Sequence, residues 1–223
     1  MSVRFSIEEG IAEVLLDHPP VNALDSAGWG KLAETIVSLG VDPEVRVIVL
    51  GAAGRGFCAG VDVKELAEDS SLITKVNKGC YDAFAAIHDC PVPVIAACHG
   101  FVLGGGIGLV GSCDLIVSSD DASFGLPEID RGALGAASHL MRMFPVQKVR
   151  RMLFTGEPIS AQEAYRLGAL EAVVTREEVL PTAREIARTI AAKSPKAMRL
   201  AKESLNGIEL LDVKRSYRFE QGF

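Results

Sequence analysis

The run VPVIAACHGFVLGGGIGLVG, from Val92 to Gly111, constrains the fold of this chain more than any other. A strand-like apolar segment, Val92–Ala97, leads into the consecutive glycines Gly104, Gly105 and Gly106, and the apolar stretch Ile107–Val110 follows. Glycines at a strand-to-helix turn let backbone N–H groups approach a ligand closely, and a helix N-terminus favours negative charge. The arrangement suits an oxyanion better than a bulky phosphate. A lone acid on a Pro-Glu step, Glu128, lies beyond the next strand. Pro91–Gly111 is long enough and apolar enough to cross a bilayer. Its two prolines, its glycines and His99 favour a strand, a turn and a helix instead.

The rest of the chain reads as strand-strand-helix units followed by helices. Val3–Ile7 and Ile11–Leu16 alternate around Glu8-Glu9-Gly10 as a hairpin. Asp25 or Ser26 can cap a helix running to about Leu39. Val45–Leu50 predicts a buried strand, Asp62 can open a short helix through Ala67, and Leu72–His88 predicts a longer one. The strand Asp114–Ser118 follows the glycine turn and its helix. After Pro145, helices are expected over Val146–Phe154, Ala161–Leu167, Glu177–Ala192 and Pro195–Asn206, with a short strand at Glu171–Val174 and a further helix from near Asp212. This order predicts an α/β core over residues 1–145 and a helical region over 146–223, the latter incomplete at its end.

Composition excludes several classes. A net charge of −6 gives no electrostatic footprint for nucleic acid. The five cysteines Cys58, Cys80, Cys90, Cys98 and Cys113 are odd in number and lack paired metal-ligand spacing. Reduced, buried thiols are expected, with no metal site among them and the four histidines. The N-terminus MSVRFSIEEG has no signal-like apolar core, so a cytoplasmic location is expected.

Five segments in order carry a family resemblance: HPPVNALD (His18–Asp25), GRGFCAGVDVKEL (Gly54–Leu66), PVIAACHGFVLGGG (Pro93–Gly106), CDLIVSSDDASFGLPEI (Cys113–Ile129) and FTGEPISAQEAYRLG (Phe154–Gly168). On these the chain resembles the crotonase (enoyl-CoA hydratase/isomerase) family over nearly its whole length. The resemblance implies a ββα spiral core and C-terminal helices that serve trimerisation, giving a homotrimer or a dimer of trimers. It implies an acyl-CoA thioester as substrate, with coenzyme A entering as part of the substrate and no resident cofactor. Nucleic acid and membrane are not expected partners. By motif match, the backbone amides of Val61 and Gly105 form an oxyanion hole for a thioester enolate, and such a donor pair contributes several kcal/mol. Basic residues around this loop meet the CoA phosphates in the family, which assigns Arg55, Ala59, Val61 and Lys64 to CoA binding. For Arg55 and Lys64 the competing reading is a pair of solvated surface cations.

Hydratases of the family hold water between two glutamates. The second is present as Glu128, but the first position is occupied by Gly108. Loss of a positioned acid or base forfeits roughly 10²–10⁴-fold in rate, which argues against simple hydration. One base beside an oxyanion hole still suits isomerisation, decarboxylation or water attack in a C–C hydrolysis. The segment EIDRGALGAASHL (Glu128–Leu140) lacks the proline common in hydratases and is shortened. Gly108 and the shorter loop are expected to leave room for a bulky or cyclic acyl group.

The combination of GGGIGLVG (Gly104–Gly111), RGALGAASHL (Arg131–Leu140) and SYRFEQGF (Ser216–Phe223) is similar to actinobacterial crotonase-like hydrolases that open the last ring of steroid-derived CoA thioesters. The expected reaction is therefore ring-opening hydrolysis with Glu128 as acid/base. Ordinary enoyl-CoA hydratase/isomerase activity and a non-catalytic acyl-CoA-binding protein are the alternatives. Asp130, Arg131 and His139 are candidate pocket residues. Against this, Asp130 and Arg131 could form a surface ion pair and His139 could be a partly exposed helical residue. Asp62 is expected to cap a helix, and His99 to be packed.

Overall fold

The computed structural model describes residues 3–209 and 213–220. Asp212 and the last three residues of the Ser216–Phe223 motif lie outside the described residues. In chain order the elements are β1 (Val3–Glu8), β2 (Ile11–Leu16), β3 (Ala23–Leu24), α1 (Ser26–Val41), β4 (Val47–Ala52), β5 (Gly60–Val61), α2 (Val63–Glu68) and α3 (Ile73–His88). There follow β6 (Val94–Cys98), β7 (Phe101–Leu103), α4 (Gly105–Ser112), β8 (Leu115–Ser119), β9 (Ser123–Gly125), α5 (Ala137–Met143) and α6 (Val146–Thr155). The chain continues through β10 (Ile159–Ser160), α7 (Ala161–Arg166), β11 (Ala172–Val174), α8 (Val179–Ala191), α9 (Pro195–Ile208) and α10 (Val213–Glu220).

The main sheet has the order β1-β2-β4-β6-β8-β11. Only its β1–β2 hairpin is antiparallel, turning at Glu9 and Gly10 with φ of 51° and 79°. From β2 onward, a main-sheet strand is followed by a short strand and then a helix: β2-β3-α1, β4-β5-α2, β6-β7-α4, β8-β9-α5. The short strands lie apart from the main sheet, β7 beside β9 and β3 beside β5. The result is a spiral of ββα turns, with helices gathered toward the C-terminus. The segment Pro91–Gly111 is accordingly divided among β6, β7 and α4, and among the described residues no helix is long and apolar enough to cross a membrane.

Burial on both faces explains why β4 and β6 are apolar without alternation. Ile48, Leu50, Val94 and Ala96 face the larger core. Val47, Val49, Ile95 and Val117 face α8, whose Ala183, Ala187 and Ala191 recur every four residues and let it lie close against the sheet. Residues beyond 145 thus add a strand and a covering helix to the sheet. Lys202 on α9 is buried and donates to Asp114 at 2.7 Å and to the carbonyls of Ile87 and Val92 at 3.2 Å, pinning that helix to the core.

The glycines of α4 have a packing role that the sequence did not disclose. A Cβ on Gly105 would sit 2.8 Å from the Trp29 ring, one on Gly108 2.2 Å from the Phe84 ring, and one on Gly111 2.6 Å from the His139 carbonyl oxygen. Spaced three apart, these glycines line one side of the helix and admit α1, α3 and α5 in turn. The aromatic rings continue as edge-to-face pairs, Trp29–Phe84 at 5.6 Å, Phe84–His139 at 4.8 Å and Phe84–Tyr217 at 4.9 Å between centroids. Gly108 therefore does not open space for an acyl group: Phe84 fills it.

Candidate active site

Two chain crossings bring the site together. The turn entering β5 places Gly60 at φ +95°, and a Cβ there would stand 2.9 Å from the Gly105 amide nitrogen. Only glycine allows that approach. It sets the backbone of Val61 beside the first N–H of α4, which has no acceptor within its own helix. Helix α1 braces both partners. Its Trp29 packs on Gly105, while the backbone N–H and hydroxyl of Ser26 each donate to Glu65 on α2 at 2.8 Å. Asp25 caps α1 through the Gly28 amide, and Asp62 caps α2 through the Lys64 amide.

Glu128 lies beside the glycine turn, on a 3-10 turn spanning Pro127–Arg131 that ends at Gly132 in the left-handed conformation, φ 70°. Its carboxylate fits between two glycines: added Cβ atoms on Gly104 and Gly135 would each lie 2.6 Å from Oε1. Oε2 is buried with no hydrogen-bond partner among the described residues. Burial raises the carboxyl pKa above the ordinary glutamate value, against the lowering effects of its own backbone N–H and of the Arg131 charge. A carboxyl so placed gives up its proton less readily than an exposed glutamate, which suits proton transfer.

A cavity of about 280 Å³ joins these parts. It is lined by Val61, Gly104, Gly105 and Glu128, by the apolar Leu66, Ile73, Val76 and Leu134, and by Tyr217 of α10. This volume is at the small end for ligand pockets, which run to roughly 300–1,000 Å³, so it suits an acyl head with the remainder of a larger ligand outside. Glu128 is the one carboxylate among its described lining residues, and Arg131 the one cation.

Of the sequence-derived candidates, Val61, Gly105, Glu128, Ala59 and Arg131 meet at this cavity. Lys64 is exposed on the first turn of α2, and Arg55 is exposed on the glycine loop, where its carbonyl accepts from Arg176 at 3.1 Å. Three candidates belong elsewhere. Asp130 is exposed and faces Gly156 rather than the cavity, and no ion pair joins it to Arg131 among the described residues. Gly108 lies beneath Phe84.

His139 is fully buried, neither ligand-facing nor partly exposed, between Phe84 and Tyr217. Desolvation, then the charges of Arg142 and His88, lowers its pKa to about 3. His99 is packed as expected, bonded to the Gly54 carbonyl at 3.0 Å, and all five cysteines are free and buried. Sequence reasoning missed Trp29, Phe84, Gly135 and Tyr217. Gly135 carried a local signal as a second glycine three residues after Gly132, and Tyr217 lies within the SYRFEQGF motif.

Comparison with known proteins follows the same lines. An enoyl-CoA hydratase/isomerase family model matches residues 6–220. The chain is 51% identical over 217 residues to a (7aS)-7a-methyl-1,5-dioxo-2,3,5,6,7,7a-hexahydro-1H-indene-carboxyl-CoA hydrolase of Rhodococcus jostii, covering 96% of this chain and 84% of that protein. A hydrolase of the same name from Mycobacterium tuberculosis is 48% identical over 218 residues, covering 97% and 88%. The crystal structure of an enoyl-CoA hydratase from Mycobacterium smegmatis superposes with a TM-score of 0.88 at 31% identity, over 100% of this chain and 88% of that one.

Proposed function

The chain belongs to the enoyl-CoA hydratase/isomerase family, and from that premise we propose that it hydrolyses a ring C–C bond in a bicyclic, steroid-derived acyl-CoA of the indene-carboxyl type. The observation that carries this reading is a single carboxylate, Glu128, whose buried Oε2 has no partner among the described residues and which lines one apolar cavity with Val61 and Gly105, with no second acid among its described lining residues. The relatives named for that hydrolysis, at about half identity over nearly the whole chain, support the substrate class.

The reaction needs a ketone β to the thioester carbonyl, or vinylogous to it. Water attacks the ring ketone while Glu128 takes a proton. The C–C bond then breaks toward the thioester, whose oxygen becomes an enolate held by the two amides. One such donor is worth on the order of 10²–10³ in rate. Glu128 returns its proton to carbon. Gly104 and Gly135 hold the carboxyl in place by leaving it room, and the apolar walls keep it less ionised than in water. Arg55 and Lys64, both exposed beside the loop of Ala59 and Val61, meet the CoA phosphates. The protein assembles as a trimer or a dimer of trimers, which light scattering tests.

The direct test incubates the purified chain with the bicyclic dioxo thioester and follows an 18-Da gain with ring opening by mass spectrometry. Ring opening lost in Glu128→Gln is expected. Rapid hydration of crotonyl-CoA with no ring opening overturns the reading in favour of a one-glutamate hydratase, and no turnover of either overturns it in favour of an acyl-CoA-binding protein.

A further inference from the structure

We infer that Arg131 is a second anion-binding group of this site, placed to receive the ketone oxygen during water attack and the carboxylate that the ring opening creates. The inference rests on the ring-opening reading and adds what that chemistry requires. Hydrolytic C–C cleavage develops negative charge at two places in succession, first on the attacked ketone oxygen and then on the thioester oxygen. The Val61 and Gly105 amides serve one of them.

Arg131 has the geometry for the other. It follows Glu128 by three residues in a 3-10 turn, where side chains three apart eclipse, so both project from one face. Both line the cavity, and Arg131 is its one described cation. Its guanidinium has no hydrogen-bond or ion-pair partner among the described residues, and its recorded electrostatic interaction is with Glu128. An arginine left unpaired beside a partly buried acid is free to take a planar anion in a two-pronged grip.

Electrons and atoms balance through these groups. The water oxygen bonds to the ketone carbon, one water proton goes to Glu128, and the carbonyl π pair becomes an alkoxide facing Arg131. As the alkoxide collapses, the ring C–C bond breaks and its pair passes by conjugation to the thioester oxygen. The former ketone carbon becomes a carboxylic acid, and the Glu128 proton goes to carbon. At neutral pH the acid releases its proton to solvent and stands as a carboxylate against Arg131.

The probe is the ring-opened product thioester, compared with its methyl ester at the new carboxyl, with binding measured by calorimetry. Wild type is expected to bind the acid at least about tenfold more tightly than the ester. Arg131→Gln should bring the two within about twofold, chiefly by weakening the acid, and Arg131→Lys should restore part of the difference. Arg131 is exposed, so neither substitution removes core packing. Equal binding of acid and ester by wild type, or undiminished discrimination in Arg131→Gln, overturns the inference. Because binding is read without turnover, this failure is distinct from that of the ring-opening reading, which is the absence of ring opening by wild type.

Discussion

Glu128 is held where its charge is disfavoured, and in the proposed reaction that cost fits it to carry a proton. Its folded pKa is raised, so the folded state holds its proton more tightly than the unfolded chain does, and stability falls as pH rises through that range. Glu128→Gln is therefore expected to lower turnover by about 10²–10⁴-fold and yet raise the melting temperature at neutral pH. Gly135→Ala should act on the same carboxyl from outside, since its Cβ would lie 2.6 Å from Oε1. Because a misplacement of about 1 Å costs roughly 10²-fold, kcat should fall by that order while crotonyl- or acyl-CoA binding persists.

Gly108 makes the opposite point. Restoring the absent glutamate by Gly108→Glu drives a side chain into the Phe84 ring, and such overpacking costs about 1–3 kcal/mol or more. Hydration of crotonyl-CoA should appear only when Phe84→Ala is added. Gain of hydration in the single variant would contradict the packing described for Phe84.

Among elements, α1 braces the two backbone segments that carry Val61 and Gly105. It carries Trp29 over Gly105 at one site and holds Glu65 of α2 through Ser26 at another. Glu65→Ala removes two hydrogen bonds, each worth about 0.5–1.5 kcal/mol, and frees α2 to drift. The expected result is a kcat loss larger than the change in KM, seen by comparing both constants on one substrate.

The hairpin, the main-sheet strands, the helices that follow them and the caps at Asp25 and Asp62 are readable from local pattern because hydrophobic period, glycine turns and capping residues act within a few positions. The short strands Phe101–Leu103, Ser123–Gly125 and Ile159–Ser160 are not. Each has at most three residues, too few to show a period, and each is defined only by its partner in the small sheet.

At the scale of the molecule, the aromatic cluster joins elements from α1 to α10, and His139 makes it sensitive to acid. His139 is buried neutral with a folded pKa of about 3 against an unfolded value near 6.5. Protons thus bind the unfolded chain first. The stability is fully present above about pH 6.5 and is lost progressively as pH falls toward 3, by an amount on the order of a few kcal/mol. His139→Phe should flatten the fall in unfolding free energy between pH 7.5 and pH 5, as followed by urea titration.

What the sequence determined by itself was the ordered set of motifs: glycine turns, capping acids and a Pro-Glu step, whose meaning is local and survives without coordinates. Through the family resemblance these motifs carry, they imply the spiral of ββα turns, the pairing of Val61 with Gly105 and the choice of Glu128. Only the tertiary structure decided what occupies the space that a missing side chain leaves. Gly108 read as room for substrate and is instead the seat of Phe84, His139 read as an exposed or ligand-facing group and is sealed in the core, and Arg131 was separated from Asp130 and turned toward the cavity. The physical reason is common to all three. Volume and desolvation at a point depend on side chains from distant segments, and no local pattern encodes which of them arrives.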